Sequence, residues 1–107
     1  MKKHTYKDAL EKMVVISTGH ITRKDADILK EGSPFLMLRV IPHEYGWFVT
    51  GYADPHEDWP DYSDHLRELG LSESFIMILF DLRVSNVLWV NFDCDGYEIE
   101  NLPTYEW

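Results

Sequence analysis

Three groups of side chains in this 107-residue chain are of types that do chemistry. The first is His20 with Asp93 and Asp95. Val87-Leu88-Trp89-Val90-Asn91-Phe92 reads as a strand, so Leu88, Val90, Phe92 and Cys94 share one face, and Trp89, Asn91, Asp93 and Asp95 the other. Carboxylates two positions apart then point the same way, about 6.5–7 Å apart by strand rise. A first strand over Val14–Thr18 runs into Gly19 and His20. If these two strands lie parallel and adjacent, His20 and both aspartates leave the sheet at one edge, where open α/β sheets place their active sites. The chemistry would be a general base oriented by an acid, or a hard-cation site, in a small hydrolase or metal-dependent enzyme. A plainer account competes: Thr18 and His20 cap the next helix, and turns attract Asp whatever their chemistry. Cys94 falls on the expected core face, as a small buried apolar residue rather than a nucleophile.

The second group is His56, Asp61 and His65. On a helix starting near Pro60, Asp61 and His65 lie four apart on one face, and with His56 they offer a divalent-ion set. The spacing matches no specific metal motif, and solvated acidic loops are commoner than such a site. The sequence has no Gly-rich phosphate loop and no GxSxG elbow, so no cofactor is expected.

The third group interleaves acids with aromatics. It comprises Glu57, Asp58, Trp59, Asp61 and Asp64 in one segment, and Tyr97, Glu98, Glu100, Tyr105 and Trp107 in another. Aromatics supply contact area, while carboxylates attract a basic surface and speed encounter. Alternatively Leu102, Tyr105 and Trp107 dock on the protein's own sheet, and one segment can do both on different faces.

The formal charge of −9 sharpens this third group. Residues 53–70 carry six acids against Arg67 alone, and residues 93–107 carry five acids with no Lys or Arg, a net of −5 in each. The remaining residues are about neutral. Phosphate backbones are repelled by such a surface, so direct nucleic-acid binding is not expected.

The elements that must position these residues are readable in outline. Residues 5–12 offer a short helix capped by Thr5. Thr22 is an N-cap with Asp25 at the capping-box position, Ala26, Ile28 and Leu29 form the inner face, and Gly32 and Pro34 end that helix. Phe35–Ile41 and Trp47–Tyr52 are apolar runs joined through Pro42–Gly46, a hairpin pattern whose continuous apolarity points to two largely buried strands. Pro60 suits a first helical position and Gly70 closes that helix. Ser72 caps a helix over residues 73–84, with Phe75, Ile78, Leu79 and Leu82 on one face. The order β-α-β-β-α-α-β gives a single α+β domain over residues 1–107, a small mixed sheet of about four strands with helices packed mainly on one face.

One cysteine excludes an internal disulfide, the start of the chain lacks an apolar leader, and no apolar stretch approaches the roughly 20 residues a bilayer requires. A cytoplasmic setting without membrane contact is the expectation.

The blocks Ile16-Ser17-Thr18-Gly19-His20-Ile21-Thr22, Glu44-Tyr45-Gly46-Trp47-Phe48-Val49, Gly70-Leu71-Ser72 leading to Phe75, Asp93-Cys94-Asp95-Gly96 and Leu102-Pro103-Thr104-Tyr105-Glu106-Trp107 span nearly the whole chain from residue 14. Together they resemble a family of small bacterial proteins, a domain of unknown function carried on plasmids and other mobile elements. Gly19 stands where that pattern has Ala. The resemblance implies a mobile-element accessory protein and brings no activity with it. The leading expectation is a non-enzymatic acidic protein that binds a basic, nucleic-acid-binding host protein, in its strong form by imitating a phosphate array. A homodimer paired through a strand edge is a third reading.

Overall fold

The computed structural model describes residues 3–32 and 38–107. Along the chain come β1 (Met13–Ser17), a single 3-10 turn (Thr18–His20), α1 (Arg23–Lys30), β2 (Arg39–His43), β3 (Gly46–Thr50), α2 (Trp59–Glu68), α3 (Glu73–Val84) and β4 (Trp89–Asp93). The capping signals work as read. The Thr22 hydroxyl accepts the Asp25 N–H at 3.0 Å and the Asp25 carboxylate accepts the Thr22 N–H at 2.9 Å, closing a capping box on α1. That carboxylate is fully buried and also accepts the Ser72 N–H at 2.8 Å and the Ser72 hydroxyl at 2.6 Å. One aspartate therefore ties the start of α1 to the start of α3. Gly32 and Gly70 follow α1 and α2 at φ +97° and +95°, the left-handed conformation that ends a helix. Pro60 is the second helical residue of α2, not the first, because Asp58 is the cap.

The sheet order is β1-β4-β3-β2, with β1 parallel to β4 and the other pairs antiparallel. Register aligns Val14, Val90, Val49 and Val40 in one row, and Ile16, Phe92 and Trp47 in the next row on the same face. This face meets the helices. Phe75 stacks on Phe92 at 5.6 Å, and Ala26, Leu29, Tyr62, Leu66 and Leu79 complete the core. On the opposite face Val15, Asn91, Phe48 and Ile41 line up only partly covered, with Ile41 45% exposed. The strands thus alternate between buried and open, and over Arg39–His43 and Gly46–Thr50 the expectation of two largely buried strands does not hold. Helices cover one face only, which is the arrangement the element order implies.

α3 is apolar over more of its circumference than a surface helix because it is flanked on both sides. Phe80 and Arg83 reach Trp59 of α2, while Ser74 bonds Tyr105 of the C-terminal segment. Phe75, Ile76, Ile78 and Leu79 are buried between.

Other expectations also shift. Residues 5–12 make one capped turn, closed by Ala9 N–H to the Thr5 carbonyl at 3.3 Å, and no helix. Tyr6 is 97% exposed and Leu10 77%, so no burial repays extension beyond a costly nucleus. The hairpin turn is tighter than Pro42–Gly46: His43 pairs with Gly46, leaving Glu44-Tyr45 as the two-residue loop. Phe35–Met37 of the expected strand, and Pro34, lie outside the described residues.

Candidate functional site

β1 and β4 are parallel neighbours and Ser17 pairs with Asp93, so His20 and the aspartates do follow strand ends at one edge of the sheet. Their side chains part there. His20 is buried, its Nδ1–H donates to the Pro103 carbonyl at 2.8 Å, and its Nε2 accepts the Ile99 N–H at 2.8 Å. Both ring nitrogens are occupied by backbone, in the neutral Nδ1–H tautomer. A ring so held has no lone pair for a substrate proton or a metal unless the C-terminal segment lets go. His20 is a staple for that segment.

The segment is fastened along its length by atoms other than its carboxylates. Ser17 N–H donates to the Tyr97 carbonyl at 2.9 Å, and Tyr105 N–H to the Gly19 carbonyl at 2.7 Å. The Tyr105 hydroxyl donates to Ser74 Oγ at 2.9 Å, and the Trp107 indole N–H to the Ile21 carbonyl at 3.0 Å. Gly96 is required where the segment begins, since a Cβ there would sit 2.6 Å from the Ile16 backbone. The aromatic tail docks on its own molecule. Its acids face water: Asp95, Glu98, Glu100 and Glu106 are exposed, Asp93 is half-buried, and among the described residues none of the five has an ion-pair partner.

Asp93, Cys94 and Asp95 form the one trio of ligand-type side chains among the described residues whose donor atoms all lie within 4.8 Å of one another. Asp93 Oδ1 accepts the Asp95 N–H at 2.8 Å, the bond of an Asp-initiated turn. Cys94 is exposed, against the expectation of a core position. β4 ends at Asp93 and the Cys94 N–H turns to the Tyr45 carbonyl, so strand alternation no longer applies to it. His56, Asp61 and His65 do not form such a trio.

The other acidic segment is built differently. Residues 51–58 leave the sheet where Thr50 pairs with Trp89, at the end of β4 opposite to Asp93. The two segments therefore leave the sheet from opposite ends of β4, and α2 then runs back until Ser72 meets Asp25 at the start of α1, with α3 touching α2 through Phe80 and Arg83 and the tail through Ser74. Arg67 grips Glu73 with two bonds of 2.6 and 3.2 Å and Asp64 with one of 3.0 Å. The guanidinium holds the Glu73 carboxyl below its usual range. His65 Nδ1 lies 3.8 Å from Glu68. Trp59 stacks on Tyr62 at 5.6 Å and under the Arg83 guanidinium at 5.4 Å, and Arg83 donates to the carbonyls of Tyr52 and Glu57. Trp59 is thereby an internal anchor for the start of α2. Asp58 and Asp61 remain exposed.

Sequence reasoning passed over Asp81 and Met77, which stand with Ser74 and Ile78 on the stripe of α3 that faces the tail. The helical spacing was readable. What lies against it was not, because the contact is made across the fold.

The chain belongs to a family of unknown function, DUF5983, whose C-terminal domain matches residues 13–107. No curated protein and no solved structure matches it.

Proposed function

We propose that this member of a family of unknown function is a non-enzymatic interaction protein whose C-terminal segment docks a basic partner. The observation that carries this reading is the state of residues 93–107: five carboxylates, none ion-paired among the described residues, on a segment held in one conformation by His20, Tyr105 and Trp107. A backbone already tied down has less entropy to lose on binding, and its unneutralised carboxylates steer a cationic surface.

Because Arg67 answers part of the first segment's charge while nothing answers the tail's among the described residues, the reading favours a local anionic strip on the tail over a continuous phosphate-like array. The partner is then a basic protein of the nucleic-acid-binding kind, and the setting a bacterial cytoplasm in which the protein serves a mobile element. No helix among the described residues is long and apolar enough to cross a membrane. The test is capture from a bacterial lysate at low and moderate salt, followed by titration of each purified partner across ionic strengths. Affinity should fall steeply as salt rises. A complex indifferent to salt removes the electrostatic premise.

A further inference from the structure

Beside the anionic strip the tail, β1 and α3 enclose an apolar groove of about 400 Å³. Val14 and Ile16 form its floor, Met77, Ile78 and Leu82 one wall, and Ile99 and Leu102 the other. Two carboxylates, Asp81 from α3 and Glu100 from the tail, complete the lining, and neither has an ion pair among the described residues. Met77 is 54% exposed and Ile99 40%, so apolar surface is left to water at the mouth.

We infer that this groove takes an apolar anchor side chain of the basic partner, one flanked by Lys or Arg. This rests on the docking reading above and names the segment it recognises. The argument is charge complementarity around an apolar hole. A hydrophobic side chain gains by leaving water for this lining, whereas an acidic or purely aliphatic occupant leaves Asp81 and Glu100 repelled or desolvated. A polycation without an apolar residue meets the carboxylates and leaves the groove empty. The tail supplies both a wall and an acid, so the staple at His20 is what keeps the groove formed.

Two synthetic probes separate the contributions: a short Lys/Arg peptide with Gly-Gly at its centre, and the same peptide with Leu-Phe there. Titrated into the full chain and followed by backbone amide shifts, the Leu-Phe probe should bind about tenfold more tightly and move Met77, Asp81, Ile99 and Asn101. Met77→Ser, at an exposed helical position, should abolish that preference and leave the Gly-Gly probe unchanged. Asp81→Asn with Glu100→Gln should weaken both probes. Equal binding of the two probes, or shifts that miss the groove, overturns the groove and spares the acidic docking surface. Failure of both probes to bind overturns the two readings together. Groove shifts that depend on protein concentration without peptide assign the site to a second copy and overturn the inference.

Discussion

Residues 53–70 and 93–107 carry the same net charge, −5 each, and treat it in opposite ways. In the first, much of the charge rides on a helix, and the helix answers part of it. Arg67 holds Asp64 and Glu73, and His65 approaches Glu68. In the second there is no cation to answer with, so the segment is ordered by backbone and ring hydrogen bonds and its carboxylates stay unmatched. Equal charge does not make an equal surface. What distinguishes the two is whether the groups that order the chain are the same groups that carry the charge.

The sharpest way to break this contrast is to remove the staple. His20→Ala leaves a cavity and strips partners from the Pro103 carbonyl and the Ile99 N–H, for a loss of about 3 kcal/mol in urea unfolding. Amide exchange should accelerate at Ile99 and Ser17 and stay protected in α2. Loosening of both regions together would show that the tail is not an independently fastened element.

Next in size is a matched pair of charge removals. Glu98→Gln with Glu100→Gln should weaken a basic partner about tenfold at low salt, whereas Asp64→Asn with Glu68→Gln, the acids that Arg67 and His65 approach, should change it less than about twofold. Equal losses would mean that the helix-borne acids are as available as those of the tail.

Smaller still is Tyr105→Phe, which removes one hydrogen bond to Ser74 and should cost about 1 kcal/mol, measured by the same unfolding transition. A neutral result would leave the fastening to His20 and Trp107.

The smallest effect concerns the paired region. In Arg67→Gln the Glu73 carboxyl should titrate back up in its ordinary range, read from its carboxyl carbon shift. A carboxyl held low in the folded state stabilises above its unfolded pKa and loses that contribution as pH falls through the folded one. The pair is exposed, so the change should be clear in the titration and hardly detectable in stability.

Local signals were reliable wherever the cause was local. Thr22 with Asp25, Ser72, Gly32 and Gly70 mark helix ends because capping involves atoms within a few residues. The parallel pairing of β1 with β4 was only a condition in the sequence. The fate of residues 5–12 was misread for the same reason that Cys94 was. Thr5 caps a turn correctly, but whether a helix continues depends on a surface to bury against; Cys94 obeys strand alternation only as far as the strand lasts.

The amino-acid order alone determined the order of strands and helices, the caps of α1 and α3, the α+β class and the two surplus-acid segments, since each follows from neighbours along the chain. Only the tertiary structure decided that His20 faces the backbone of residues 99 and 103, that the two acidic segments leave the sheet from opposite ends of β4, and that Met77 and Asp81 meet the tail. Those contacts join residues far apart in the chain, and long-range partners are chosen by how the sheet registers and what its one covered face leaves room for, which no local pattern records.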